Sequence, residues 1–161
     1  MADLAHEANY RVSFVAGELT ITNPASPTVA QLNGGVALEG RLTPTGLSRE
    51  STTDRKDTTK LNSTFGTQST GRRNFNLSVV AVREATDVGG VEAALTFKAL
   101  GWLAIRDNVA ATTAWTAAQV VEIYPVQCDN PNKAAPAVNE DQQMTFGFAM
   151  RGQPTLNAVV V

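Results

Sequence analysis

Histidine and cysteine, the residue types that most often act as bases, nucleophiles or metal ligands, each occur once in this chain, as His6 and Cys128. A Ser–His–Asp or Cys–His catalytic arrangement would have to use His6, which lies in a polar N-terminal segment of the kind that frays. Cys128 ends the run IYPVQC, where a packed thiol is commoner than a nucleophile. One His and one Cys cannot build a zinc site, and neither a G-x-S-x-G motif nor a phosphate-binding glycine motif is present. We therefore predict a protein that is not an enzyme and that holds no metal and no cofactor.

A length of 161 residues favours one globular domain spanning residues 1–161, and a hydrophobic fraction of 43% is enough for a core. The net charge of −2 argues against a general nucleic-acid binder, which would be basic. The first twenty residues lack the basic start and apolar run of a signal peptide, and no apolar stretch approaches the ~18 residues of a membrane helix. We expect a soluble protein that is made in a cytoplasm and has no membrane partner.

Most of the periodic pattern alternates with period two. In residues 74–82 the apolar Phe75, Leu77, Val79 and Ala81 alternate with polar or small residues, and residues 145–151 repeat the pattern with Phe146, Phe148 and Met150. Such alternation predicts strands with one buried and one wet face. Further strands are predicted at residues 10–15, 36–43, 102–106 and 119–127. The fold class is therefore mainly β, with an antiparallel sheet.

One segment, residues 91–100, is richer in helix formers. Asp87, Gly89 and Gly90 precede it and Gly101 follows it, which are typical start and stop residues. We predict one short α-helix that packs against the sheet.

Residues 48–74 differ from the rest of the chain, because Leu61 and Phe65 are their only sizeable apolar residues. The segment has six basic and three acidic residues, a net charge of +3, whereas the remainder has seven basic and twelve acidic residues, a net charge of −5. So polar a segment cannot bury enough surface to order itself in an isolated monomer. It is either a mobile surface loop or an arm that becomes ordered on a neighbouring subunit.

Three motifs follow one another in the C-terminal half. The first is G-x-L-x-x-R at Gly101, Leu103 and Arg106. The second contains Y-P-V and comprises Val120, Tyr124, Pro125 and Val126; the third is R-G-x-P-x-x-x-A-V-V and comprises Arg151, Gly152, Pro154, Ala158, Val159 and Val160. In this order, and after a short helix, the motifs resemble the tail tube (major tail) proteins of long-tailed, non-contractile bacteriophages. The resemblance covers residues 84–161 well, and the N-terminal half agrees in layout more than in residues.

The resemblance implies an antiparallel β-sandwich or partial barrel with one flanking helix and a long polar loop. It also implies that six copies form a ring and that rings stack into a hollow tube around the tape measure protein and later the DNA. The implied partners are further copies of the chain, the tape measure protein and the tail-end proteins. The implied location is the virion tail, which is assembled in the host cytoplasm.

The family places a loop that folds against the adjacent ring where this chain has residues 48–74. The candidate inter-ring residues of this arm are Arg49, Arg55, Lys56, Lys60, Phe65, Arg72 and Arg73. Residues 152–161 form an apolar tail that a lone domain would leave uncovered, which suggests contacts between subunits. The candidate contact residues of the tail are Pro154, Leu156, Val159, Val160 and Val161.

Small polar residues on the wet sides of the predicted strands suit a sheet that lines a water-filled channel. The candidate lumen residues are Glu39, Asn74, Asn76, Ser78 and Thr145. A net acidic body would repel phosphate, so that DNA could pass without specific binding. The basic arm would find acidic surface on the next ring.

Two alternatives remain open from the sequence. The inner tube of a contractile tail, or the related secretion tube of bacteria, shares this architecture. A carbohydrate-binding or adhesin-like β-sandwich module is a different class and would show several aromatics on one exposed face, whereas most of the ten aromatics here occupy core-phase positions.

Overall fold

The computed structural model describes residues 9–87, 89–107, 109–135, 138 and 140–161. His6 lies outside these residues. The strands are β1 (Arg11–Ala16), β2 (Val36–Ala37), β3 (Leu42–Asp57), β4 (Gln68–Val82), β5 (Leu100–Arg106), β6 (Val120–Cys128), β7 (Asn132–Lys133), β8 (Gln143–Met150) and β9 (Thr155–Val159). The helices are α1 (Val29–Asn33) and α2 (Val91–Ala94).

All strand pairs are antiparallel, and the strands lie in the order β2-β1-β5-β6-β8-β4-β3, with β7 beside β8 and β9 beside β6. A turn at residues 38–41 joins the two ends of this sheet. On one side of the turn the Leu38 amide donates to the Val12 carbonyl at 2.8 Å, and on the other the Val82 amide donates to the Arg41 carbonyl at 2.8 Å. The predicted mainly β, antiparallel fold is confirmed, and the sheet is not closed into a barrel.

The inner face of the sheet holds the larger hydrophobic core. The predicted alternation is confirmed, since Leu77, Val79 and Ala81 of β4 are buried there with Phe146 and Phe148 of β8. Each of the long strands except β3 contributes at least two buried residues to this cluster. One continuous core therefore holds the two halves of the sheet together.

A second core lies on the outer face of β1, β5 and β6. Val15, Trp102 and Ile123 point to this side, and Leu32 of α1 and Ala158 of β9 pack on them. The helix begins at a capping box, in which the Thr28 hydroxyl accepts from the Gln31 amide at 3.2 Å and the Gln31 side chain accepts from the Thr28 amide at 2.9 Å. This helix was not predicted, although the T-x-x-Q spacing is a recognised helix-start signal.

The helix predicted at residues 91–100 was too long, because α2 ends at Ala94. Its start is as expected, since the Asp87 carboxylate accepts from the amides of Glu92 (3.1 Å) and Ala93 (2.9 Å). After Ala94 the chain turns through Lys98, which has φ 65°, and Leu100 pairs with Gln127 in the sheet. Sheet hydrogen bonds therefore override the helix propensity of the last residues.

The strand predicted at residues 36–43 is interrupted after Ala37, because the turn at residues 38–41 intervenes. Arg41, within this turn, is buried. Its guanidinium donates to the Val82 carbonyl at 2.9 Å and pairs with Asp87 at 3.1 Å. Burial is possible because these partners satisfy the charge.

The expectation of a loop at residues 48–74 was wrong about local structure, because β3 and β4 continue through it as a β-hairpin. Only residues 58–67 lie between the two strands. Both faces of the protruding part are exposed, so the hydrophobic alternation that reveals strands in a sequence is absent. The mobility of the hairpin in the free monomer stays a prediction.

Within the described residues, no helix is long and apolar enough to cross a membrane.

Candidate assembly surfaces

The outer face of β3, β4 and β8 carries four of the five candidate lumen residues. Cross-strand pairs bring Asn74 opposite Thr52, Ser78 opposite Gly147, and Val80 opposite Thr145. Asn74 and Asn76 are exposed, and Ser78 and Thr145 are half-buried. We call Ser48, Glu50, Thr52, Asn74, Asn76, Ser78, Thr145 and Gly147 the polar face.

Two acidic residues lie in or beside this face, and neither was among the predicted lumen residues. Glu50 belongs to the face itself, since it pairs with Asn76 across β3 and β4. Asp129 donates its amide to the Gly147 carbonyl at 2.9 Å, and its side chain lies against Gly147. Knowledge of the register between β3 and β4 would have placed Glu50 on the polar face. That register depends on a hairpin that the sequence did not reveal.

Glu39 lies elsewhere. It sits in the connection between β2 and β3, where its carboxylate lies 3.7 Å from Arg11 Nε and 3.4 Å from the Val12 amide. It is largely buried by these contacts, so the structure does not bring it together with the other lumen candidates.

Six of the seven candidate arm residues project from the hairpin into solvent: Arg55, Lys56, Lys60, Phe65, Arg72 and Arg73. Phe65 is 78% exposed, and Leu61 on the same tip is fully exposed. The seventh residue, Arg49, is different. Its guanidinium lies 2.6 Å from Glu122 and 2.8 Å from Asp107 of its own chain.

The C-terminal tail is partly covered by its own chain, whereas its composition had suggested that a lone domain would leave it uncovered. Strand β9 pairs with β6, and the amides of Val159 and Val161 donate to the carbonyls of Ala25 and Pro27. Val160 is 1% exposed within the second core, so it is a core residue of its own subunit. Val159 and Val161 remain exposed beside Val120, and Pro154 and Leu156 are half-buried.

Comparison with protein families decides what these surfaces belong to. A family model described as phage tail tube protein matches residues 1–161, which is the whole chain. The chain belongs to the phage tail tube protein family. This family is structural, and the strand order, the hairpin and the polar face are therefore features of a tail tube protein.

A solved structure shares the fold of this tail tube protein. A chain in the cryo-EM structure of the anti-feeding prophage baseplate, 6-fold symmetrised, matches with a TM-score of 0.54 at 12% identity. The match covers 96% of this chain and 97% of that chain. No curated protein matches the chain.

The first of the three sequence motifs contains a residue with a structural role in this tail tube protein. Arg106 is buried, and its guanidinium donates to the carbonyls of Ala110 (2.8 Å), Thr113 (2.9 Å) and Ala114 (3.2 Å) and to the Gln119 side chain (2.9 Å). Burial, and then the charge of Arg11, lowers the pKa of Arg106. The motif arginine therefore organises the Ala/Thr-rich segment between β5 and β6.

Cys128 is buried against the inner core, as its place in the sequence predicted. Burial, and then the Asp129 carboxylate, raises the pKa of its thiol to about 12. Such a thiol stays protonated at neutral pH and is a poor nucleophile. Among the residues that the structure describes, no three His, Cys, Asp or Glu side chains lie together in a way that could hold a metal ion.

Proposed function

We propose that six copies of this chain form a ring and that the rings stack into the hollow tail tube of a long-tailed, non-contractile phage. DNA passes through the lumen of this tube without specific binding. The single observation that supports this most is the uneven covering of the sheet. Helix α1 and the tail cover the outer face of β1, β5 and β6, whereas Thr52, Asn74 and Asn76 of the polar face are exposed and neither hydrophobic cluster of the described residues packs on that face.

The chemistry of the polar face suits a channel for DNA. Its residues are small and uncharged except for Glu50, and Asp129 borders it. Negative charge at a channel wall repels phosphate, and the absence of basic side chains at these positions leaves no site where DNA would bind tightly. Asn74, Asn76, Ser78 and Thr145 line the lumen in this proposal, and Glu39 is withdrawn from the set.

The edge of β3 supports the closing of a ring. In the part of the chain that the structure describes, β3 pairs with β4 only, so its other edge presents unpaired backbone groups. Such an edge is a template for pairing with another chain. Apolar Val120, Val159 and Val161 are exposed on β6 and the tail, and together with Pro154 and Leu156 they provide subunit contacts.

The charge distribution supports stacking in one direction. The hairpin carries Arg55, Lys56, Lys60, Arg72 and Arg73 at one end of β4. Beyond the other end of β4 lie Glu84, Glu140 and Asp141, since the Arg83 amide donates to the Gln142 carbonyl at 2.7 Å. A basic end and an acidic end attract one another when subunits stack head to tail. The hairpin is the inter-ring arm in this proposal.

The remaining partners follow from a role as a tail tube. They are the tape measure protein inside the tube and the tail-end proteins at its two ends, and assembly takes place in the host cytoplasm.

The second candidate is the inner tube of a contractile tail or a secretion tube, because the chain shares its fold with a chain of a prophage baseplate. Membership of a tail tube family favours these two tube functions over a carbohydrate-binding module.

Negative-stain electron microscopy of the purified chain tests the proposal. The expected images show rings and striated hollow tubes, and tube length should increase with protein concentration. A matched sample of the variant Ser51→Pro, which removes a backbone donor on β3, should form fewer and shorter tubes. Uniform monomers at high concentration would contradict the proposal.

A further inference from the structure

The hairpin leaves the domain at a sharply defined level. Every residue from 50 to 74 is exposed, whereas Arg49 and Phe75 on either side of this stretch are half-buried. These two residues belong to neighbouring strands, because Phe75 pairs with Ser51 and Arg49 pairs with Leu77. Contacts at this level therefore lie where the protruding part leaves the domain.

Arg49 joins β3 to the opposite side of the inner face. Its NH1 group donates to the Glu122 carboxylate of β6 at 2.6 Å, and its NH2 group donates to Asp107, just after β5, at 2.8 Å. The guanidinium carbon also lies 5.5 Å from the centre of the Tyr10 ring. All three charged groups are only about a quarter to a third exposed, so solvent screens these pairs less than it screens a surface pair.

Phe75 joins β4 to the same place. Its ring meets the Tyr124 ring edge-on, with 6.1 Å between the centres and an interplanar angle of 67°. The Tyr124 hydroxyl in turn donates to Glu122 Oε2 at 2.8 Å, and that oxygen also accepts the bond from Arg49. Both strands of the hairpin therefore converge on Glu122. We call Arg49, Phe75, Asp107, Glu122 and Tyr124 the root clamp.

The protonation of these groups is consistent with a permanent clamp. Burial by itself lowers the pKa of Arg49, but the Asp107 and Glu122 carboxylates outweigh it, so the pKa is raised. Burial, and then the Glu122 carboxylate, raises the pKa of Tyr124. Both groups keep their protons over the whole neutral range, and the hydrogen bonds that depend on those protons persist.

A small rotation at the root displaces the tip by a large distance. Residues 50–57 extend β3 beyond the clamp by eight residues, which is about 25 Å at the usual rise of a strand. At that length, a rotation of about 10° moves the tip by about 4 Å, more than the reach of a hydrogen bond. Between the pairs Thr53–Arg73 and Arg55–Thr70, β4 has one residue more than β3, and a Cβ added there at Gly71 would stand 3.1 Å from the Asp54 carbonyl. The two strands therefore lie close together at this point, between the root and the tip.

We propose that the root clamp fixes the direction in which the hairpin leaves the domain, with Glu122 as its central acceptor. Arg49 is thus a positioning residue, which acts on ring stacking through the hairpin and not by contact with the next ring. The claim about direction concerns the monomer alone, whereas its importance for stacking rests on the proposed tube function.

A distance measurement between two spin labels on the monomer tests the clamp. The labels are placed at Ser63→Cys on the tip and Lys133→Cys on β7, in a Cys128→Ala background. The unaltered clamp should give one narrow distance distribution. Arg49→Met should at least double its width or shift its mean by several ångströms, and Glu122→Gln should do the same if Arg49→Met folds poorly. Arg49→Lys keeps the charge without the planar fork and should give an intermediate width.

Two controls separate the clamp from general effects. Arg55→Met makes the same substitution on the hairpin beyond the clamp and should leave the distribution narrow. Val160→Ala destabilises the second core and should also leave it narrow, because a loss of stability alone does not redirect the hairpin. An unchanged distribution in both clamp variants would overturn the proposal.

Tube formation by the same variants tests the link to assembly. Arg49→Met and Glu122→Gln should slow tube formation at least severalfold, in low and in high salt alike. A broadened distribution together with undiminished tube formation would overturn the claim that hairpin direction matters. If the unaltered chain forms no tubes, the proposed function fails while the distance measurement still decides the clamp.

Discussion

The guanidinium carbon of Arg106 lies 5.1 Å from the centre of the Trp115 ring, and both side chains are buried. Arg11 approaches the same ring at 5.5 Å, and it donates to the Ala111 and Thr113 carbonyls. Two strands thus hold one segment through two arginines and one tryptophan. The connection between β5 and β6 is therefore fixed by its contacts, although its Ala/Thr-rich sequence has no regular pattern.

Replacing Arg106 should destabilise the domain strongly. Arg106→Met removes the hydrogen bonds that a buried guanidinium donates to the carbonyls of residues 110, 113 and 114 and to the Gln119 side chain, and we expect a loss of about 3 kcal/mol in the free energy of unfolding. Urea unfolding of the monomer, followed by tryptophan fluorescence, measures this loss. The exposed Arg72→Met provides the control and should change the free energy by less than about 0.5 kcal/mol. Equal effects of the two substitutions would contradict the assigned role.

The C-terminal tail offers a direct comparison between a buried and an exposed valine. Val160→Ala should lower the free energy of unfolding of the monomer by about 2 kcal/mol, because Val160 fills the second core. Val161→Ala should have little effect on the monomer, and its effect should appear in polymer formation. Deleting residues 157–161 should unfold or strongly destabilise the monomer. A truncated chain with unchanged stability would show that the tail does not belong to the subunit core.

Asp87 should make the stability of the monomer depend on pH. Although desolvation opposes the shift, bonds from the Ala93 and Glu92 amides and from Arg41 hold the pKa of Asp87 below its usual 3.8. A lowered pKa in the folded state means that the stabilisation is fully present above about pH 4 and is lost as the pH falls through the folded pKa. Urea unfolding from pH 6 to pH 3 should show a flatter pH dependence for Asp87→Asn than for the unaltered chain. Asp141→Asn provides the control, since it removes an exposed charge without those amide contacts, and an identical flattening there would contradict the assignment.

Charge reversal on the hairpin should impair ring stacking. Arg55, Lys56 and Lys60 are exposed and lie within six residues, so changing all three to Glu makes the basic end repel acidic surface. Each exposed ion pair contributes only about 0–1 kcal/mol, but six copies per ring multiply the effect. Light scattering should show slower tube growth, with a larger defect at low salt than at high salt because salt screens the repulsion.

The matched variant changes the same three residues to Gln, which removes charge without reversing it, and it should give a smaller defect. The unaltered protein should show no appreciable affinity for duplex DNA at physiological salt. Tight DNA binding that the Glu variant abolishes, with tubes forming normally, would assign the hairpin to the genome and not to assembly.

The sequence was sufficient to predict a strand where one face of that strand is buried and the other is not. Leu77, Val79 and Ala81 alternate with polar residues because one side of β4 faces the inner core, and the same reason revealed β8. The hairpin was missed because its strands have no buried side, so their composition matched that of a loop. The end of α2 was misplaced because the chain after it joins the sheet, where Leu100 pairs with Gln127, a partner 27 residues away. The Ala99 carbonyl accepts there from the Cys128 amide.

The candidate surfaces were predictable in part. Asn74, Asn76, Ser78 and Thr145 were identified as one wet face, since period-two alternation fixes which residues share a side. Arg49 was assigned to the arm because it lies within residues 48–74. The sequence could not reveal its actual contacts, because its partners Asp107 and Glu122 are distant along the chain and no local pattern connects them. Val160 was assigned to the surface for the same reason, because its burial depends on α1 and on residues 25–29.

A cryo-EM reconstruction of the assembled polymer, calculated without imposed symmetry, tests the central claim most directly. We predict six subunits per ring around a hollow channel, with Asn76, Ser78 and Thr145 at the channel wall. The hairpin should reach from one ring to the next. A polymer with another number of subunits per ring, or one in which the polar face lies on the outside, would contradict the account.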